Sequence, residues 1–184
     1  MKILLSGEQQ IGKSYSIKKF LEEKINEKNK YSSSKFSFGG FHTLSKRSDL
    51  PYDKEINNNI YIDKGSNYLN PIFDDNYIIK KRSYNSINTN VFDNFAINFF
   101  DEDTNNKNLI ILDEIGFLES SSTIFKEKVI KILTNEKNVL GVIRDKNTEF
   151  LNTIRELNNI IFYKVDCNNI KNLTSFLLNQ FDFL

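Results

Sequence analysis

Gly7-Glu8-Gln9-Gln10-Ile11-Gly12-Lys13-Ser14 follows directly on the apolar run Ile3-Leu4-Leu5. The spacing is G-x-x-x-x-G-K-S, at a point where a buried strand would run into a helix, which is the context a phosphate-binding P-loop requires. Glycines at the two ends let backbone N–H groups turn inward around phosphate oxygens, and the helix behind adds its positive N-terminal end. In such a loop Lys13 reaches the β- and γ-phosphates, and the Ser14 hydroxyl takes one position on Mg²⁺. The nucleotide-binding stretch is expected to be Gly7, Glu8, Gln9, Gln10, Ile11, Gly12, Lys13, Ser14 and Tyr15. The competing reading, a chance pattern in a surface turn, does not account for the strand before it or the amphipathic helix after it.

That helix is expected from about Lys13 to Lys28, with Ile17, Phe20, Leu21 and Ile25 on its apolar face. Lys35 to Thr43 alternates apolar and polar residues and predicts a strand that ends in a sharp loop at Gly39-Gly40. His42, the single histidine, reads as incidental there. Residues 45–90 change character: both prolines, Pro51 and Pro71, fall here among many Asn, Asp and Ser residues. The short pieces Asn59–Ile62 and Tyr77–Lys80 suggest a β-rich antiparallel insertion packed on the core, a possible lid over the nucleotide; an irregular low-complexity loop is the alternative. Lys80-Lys81-Arg82 reads as a solvated charge cluster.

A broad apolar stripe of Val91, Phe92, Phe95, Ala96, Phe99 and Phe100 predicts a helix closed by the polar run Asp101–Asn106. The second chemical motif is Leu109-Ile110-Ile111-Leu112-Asp113-Glu114, which describes a buried parallel strand delivering two carboxylates to its C-terminal edge, where ligands gather in open α/β sheets. Asp113 would hold Mg²⁺, directly or through water, and Glu114 would orient and deprotonate the attacking water. A strand over 138–143 ends at Arg144, which either stabilises charge on the γ-phosphate or pairs with Asp145 or Glu149. Helices are expected over 122–134, 149–157 and 170–181, with a last strand over 160–165. The alternation predicts an α/β fold, a mostly parallel sheet with helices on both faces.

Composition sets the frame. A chain of 184 residues supports one well-buried domain. A formal net charge of +1 argues against a surface that reads nucleic acid or membrane by bulk charge. The lone cysteine, Cys167, forms no internal disulfide and suits a reducing cytoplasm. No signal peptide is expected, and no apolar run approaches the ~20 residues of a membrane span.

With these residues in view, the chain resembles the small nucleoside-triphosphatases that include the human cancer-related nucleoside-triphosphatase. The likeness rests on the P-loop near residue one, on Gly40-Phe41-His42-Thr43, and on Asp113-Glu114-Ile115-Gly116-Phe117-Leu118-Glu119 with Phe125 beyond. The resemblance implies a three-layer P-loop fold of the RecA-like type and Mg²⁺-dependent hydrolysis of ATP, GTP and other nucleoside triphosphates. Gln10 stands where the family usually has Gly, and Ser14 where it has Thr. Of the family's Glu-Val-Arg, only the arginine is kept, as Arg47, a second candidate charge stabiliser; near the C-terminus Asn169-Ile170 replaces an Asn-Arg pair. A monomeric, cytoplasmic enzyme without membrane or nucleic-acid partners is expected. A P-loop kinase for a small acceptor and a nucleotide-dependent switch or adaptor protein are the alternatives.

Overall fold

The computed structural model describes residues 1–31, 35–47, 58–74, 77–79, 81–82, 86–87, 90–116, 118–120, 122–135 and 138–184. In chain order the elements are β1 (Lys2–Ser6), α1 (Lys13–Tyr31), β2 (Phe38–Arg47), β3 (Asn58–Lys64), β4 (Ile78–Ile79), β5 (Lys81–Arg82), β6 (Ser86–Ile87), α2 (Asn90–Phe95), α3 (Asp101–Thr104), β7 (Leu109–Ile115), α4 (Thr123–Thr134), β8 (Val139–Ile143), α5 (Glu149–Arg155), β9 (Ile161–Lys164) and α6 (Leu173–Gln180).

A seven-stranded sheet runs in the order β4-β3-β2-β7-β8-β1-β9. From β2 to β9 every pairing is parallel, while β3 and β4 extend the sheet antiparallel beyond β2. The short strands β5 and β6 pair antiparallel in a separate two-stranded sheet. The antiparallel pieces expected within 45–90 therefore exist, and β3 with β4 widens the main sheet. Strand β8 lies between β1, which feeds the P-loop, and β7, which carries the two acids.

Period-two alternation distributes the core to both faces of the sheet. Ile3, Leu5, Ile111 and Leu140 pack with Ile17, Phe20 and Leu21 of α1 and with Leu173 and Leu177 of α6. Leu4, Ile110 and Leu112 face the other way, against Phe92 and Phe95 of α2, Phe125 and Val129 of α4 and Phe150 of α5. The second face is strongly aromatic: Phe125 meets Phe41, Phe92 and Phe100 at centroid separations of 4.9, 5.2 and 5.5 Å. These are edge-on contacts of the kind the ring quadrupole favours.

Two expectations about local structure change. Gly39-Gly40 does not close the strand; both lie inside β2, which continues to Arg47. The reason is close approach: a Cβ on Gly39 would sit 1.6 Å from the Asp103 carbonyl oxygen, and one on Gly40, which has a φ of +114°, 2.1 Å from that of Ile111. The helix after Asn90 also does not end at Phe100. It passes through a π-helical turn at Ala96–Phe100 and resumes as α3 through Thr104. That brings Asp103 to where its carboxylate accepts from the N–H groups of Gly40 and Ser66, at 2.8 and 3.0 Å.

Phe125 bridges α4, β2 and α2 with no exposed surface. Phe125→Ala is expected to cost about 3–5 kcal/mol, the usual range for removing a fully buried aromatic ring. Urea denaturation followed by circular dichroism measures it; a loss below about 1 kcal/mol would show that this face collapses around the gap.

Candidate functional site

The P-loop is held between β1 and the chain beyond β9. Gly7 has φ +131° and Gly12 φ +111°, both in the region that favours glycine. At Gly7 the need is spatial as well, since a Cβ would lie 2.2 Å from the carbonyl oxygen of Val165. Gln10, where the resembling family has Gly, adopts φ +62°. A non-glycine residue carries roughly 1–2 kcal/mol of strain in that conformation, so the loop keeps its shape despite the substitution.

Lys13 opens α1, is 7 % exposed, and donates from Nζ to the carbonyls of Gly7 at 2.9 Å and Glu8 at 2.7 Å. Its ammonium thus stands across the mouth of the loop. Burial lowers the Lys13 pKa, the nearby carboxylates of Glu114 and Asp113 oppose that, and Arg144 adds to the lowering.

Asp113 lies near the C-terminal end of β7 and is 6 % exposed. Its carboxylate accepts from the Tyr68 hydroxyl at 2.5 Å and is hydrogen-bonded to the Ser14 side chain. Burial raises its pKa, against the pull of Tyr68, Ser14, His42 and Lys13. Ser14 and Asp113, far apart in sequence, therefore share one hydrogen-bonded position at the N-terminus of α1. Two hard oxygen donors beside a phosphate loop match what Mg²⁺ takes from proteins, which is one or two side-chain oxygens with phosphate and water completing the octahedron. Among the described residues no group of three or more His, Cys, Asp or Glu side chains forms an all-protein metal cage.

Glu114 lies next along β7, and its Oε2 accepts from Arg144 Nε at 2.9 Å. Arg144 follows β8 directly, so its partner is the acid one strand over rather than Asp145 or Glu149. With its amide oriented to satisfy both groups, Gln9 accepts from the two terminal nitrogens of Arg144 at 2.7 and 3.0 Å. The guanidinium ties the P-loop to the acidic strand end. Arg155 in turn fixes the turn beyond β8, donating to the carbonyls of Arg144 and Lys146 at 2.9 Å each. Arg47 is the last residue of β2, and its side chain lies outside the described part of the structure. Tyr15, on the first turn of α1, is 63 % exposed with the Lys19 ammonium 5.1 Å over its ring.

A cavity of about 600 Å³ adjoins the loop, bounded by Gln9, Glu114 and Arg144 on one side and by Lys146, Lys164 and Cys167 on the other. Its β9 wall is ordered by Asn169, which donates to the Lys164 carbonyl at 2.9 Å and accepts from the Asp166 N–H at 2.9 Å.

His42 and Asp63 at the site carried no signal in the sequence, while Glu119 was legible only as the end of the acidic motif. His42 is not incidental: it is 3 % exposed, stacks on Tyr68 at 4.9 Å and approaches Asp63 at 3.3 Å. Burial raises the Asp63 pKa, but hydrogen bonds from His42, Ile72 N–H, Asn67 and Lys64 N–H outweigh it and hold the carboxyl below its ordinary value. Glu119, 2 % exposed, accepts from the Gly116 N–H, and burial pushes its pKa up to about 7.

Comparisons with known proteins place the whole chain in a family and a fold. A family model described as NTPase matches residues 2–178. The nucleoside-triphosphatase THEP1 of Thermotoga sp. strain RQ2 is 27 % identical over 183 residues, covering 100 % of this chain and 97 % of its own. Among solved structures, THEP1 from Aquifex aeolicus superposes with a TM-score of 0.63 at 21 % identity, covering 98 % of each chain. A human cancer-related nucleoside triphosphatase gives the same TM-score at 16 % identity, covering 99 % of this chain and 97 % of that one. At these identities the two structural likenesses establish the fold.

Glu119 yields a test with a definite sign. A carboxyl raised to about 7 in the folded state, against about 4.3 unfolded, favours folding at low pH. Stability should therefore fall as pH rises from about 4 through about 7. Glu119→Gln keeps the acceptor for Gly116 and removes the titration. At pH 8 it is expected to exceed the parent protein by up to about 4 kcal/mol, the gap closing toward pH 4; equal stabilities at pH 8 would contradict the assignment.

Proposed function

The chain belongs to the NTPase family, and on that premise we propose that it hydrolyses nucleoside 5′-triphosphates to diphosphate and phosphate with Mg²⁺. The carrying observation is the convergence of Lys13, Ser14, Asp113 and Glu114 at one edge of the parallel sheet, around a loop shaped for phosphate. The relatives named nucleoside-triphosphatase across nearly their whole length support the same reading.

In this mechanism the loop amides and the Lys13 ammonium bind the β- and γ-phosphates. Ser14 and Asp113 would hold the Mg²⁺ ion, which when bound neutralises charge on the β- and γ-phosphate oxygens. Glu114 orients a water toward the γ-phosphorus and accepts its proton. Arg144 keeps the Glu114 carboxylate in place and would stabilise negative charge developing on the transferring group. Glu114 is only partly buried, with 22 % of its side chain exposed, so water reaches it.

Selectivity for the base is expected to be loose. The cavity beside the loop is lined by charged side chains together with Ile11 and Val165, and no aromatic ring is among the described residues that line it. No Asn-Lys-x-Asp guanine-reading motif occurs; Arg144-Asp145-Lys146-Asn147 does not match it. The enzyme is proposed to work as a monomer. A kinase on the same core would need an acceptor alcohol or amine, and product analysis with such acceptors separates it from a hydrolase.

Glu114→Gln tests the division of labour. The amide keeps size and hydrogen bonding but accepts no proton, so phosphate release should fall by ~10²–10⁴-fold while nucleotide affinity by calorimetry stays nearly unchanged. Rate and affinity collapsing together would move Glu114 into the metal site, and neither changing would remove it from the mechanism.

A further inference from the structure

We propose that Tyr68 is a positioning residue for the Asp113 carboxylate, buttressed by the His42–Asp63 pair. The inference rests on the reading of Asp113 as a Mg²⁺ ligand. It links the segment that follows β3 to the metal position.

Tyr68 follows a single 3₁₀ turn, Gly65–Asn67. The turn packs directly on β2, leaving a Gly65 Cβ only 2.5 Å from the Gly39 carbonyl carbon. Ser66 and Gly40 share the same Asp103 oxygen as acceptor, which locks turn and strand together. The Tyr68 ring lies in the α1 face of the core, and packing alone would be served by phenylalanine. The hydroxyl does something further. It donates to Asp113 Oδ2 at 2.5 Å and lies 3.3 Å from the Ser14 carbonyl oxygen, joining the two elements that supply the metal ligands.

Behind the ring stands a second layer. His42 is the register partner of Asp113 across β2–β7 and of Asp63 across β2–β3. It stacks on Tyr68 with an interplanar angle of 29°. Asp63 is itself held by Asn67, Lys64 N–H and Ile72 N–H at 2.7–2.8 Å. The ring of Tyr68 therefore has one place to stand, and its hydroxyl commits Oδ2 of Asp113 to the protein. That fixes the carboxylate rotamer beside Ser14, the other proposed ligand. Groups that orient a metal ligand from behind typically carry about a 10–100-fold effect on metal affinity or activity.

Tyr68→Phe removes the hydroxyl and keeps ring, stack and core volume. The Mg²⁺ concentration for half-maximal phosphate release is expected to rise about 10–100-fold, with the maximal rate recovered at high Mg²⁺. Titrating Mg²⁺ calorimetrically into the protein loaded with a non-hydrolysable ATP analogue should show the same weakening, while metal-free nucleotide affinity and melting temperature stay at parental values. An unchanged Mg²⁺ titration in Tyr68→Phe overturns the proposal. Should that variant not fold, Asp63→Asn decides: a weakening of several-fold supports the buttress, and parental Mg²⁺ affinity refutes it. Mg²⁺-independent hydrolysis by the parent protein would instead overturn the metal reading, and the positioning role with it.

Discussion

A buried ammonium sets the terms for the rest of this molecule. Removing a lysine charge from water is costly unless hydrogen bonds and opposite charges replace the solvent. Lys13 meets that demand with the carbonyls of Gly7 and Glu8 and with the nearby carboxylates of Asp113 and Glu114. The carbonyls come from the loop after β1, and the carboxylates from the end of β7. Holding one cation in place thus requires the loop and the acidic strand end to face each other across the intervening strand β8.

The sheet makes that possible. Parallel strands β2, β7, β8, β1 and β9 end on the same side, so the phosphate loop, two acids and an arginine arrive at one edge without any long loop to carry them. Close backbone contacts hold the parts in register, with Gly7 against Val165 and Gly40 against Ile111. Charge then completes the arrangement. Arg144 spans Gln9 and Glu114, so the loop, β8 and β7 are tied by one guanidinium. Its planar fork makes such a multi-point contact possible, which a lysine could not reproduce.

What the sequence disclosed was whatever is written locally. The P-loop, the strand–helix order and the Asp113-Glu114 pair are contiguous patterns whose physics acts within a few residues, and the NTPase family assignment agrees with them. The hydrophobic stripes of α1 and α4 likewise reported their faces. Contacts between distant segments were not legible. His42 beside a Gly-Gly pair looked like a loop residue because nothing nearby shows that Asp103, from a helix much later in the chain, needs those glycines for close approach. Tyr68 and Asp63 sit in a stretch rich in Asn, Asp and Ser whose composition suggests turns, and only the antiparallel pairing of β2 with β3 brings them to Asp113. Arg144 offered two nearer acids in sequence, yet the parallel pairing of β7 with β8 places Glu114 closer in space. The π-helical turn at Ala96–Phe100 left no mark in a stretch that continues the apolar stripe begun at Val91.

In the proposed mechanism the Lys13 ammonium neutralises the triphosphate, and hydrolysis depends on it. Phosphate release from ATP, GTP, CTP and UTP with Mg²⁺, measured for the parent protein and for Lys13→Ala, tests this most directly when paired with a thermal melt. The account predicts turnover of all four nucleotides by the parent, loss of turnover and weakened nucleotide binding in the variant, and a folded protein in both cases. Undiminished phosphate release by Lys13→Ala would contradict it.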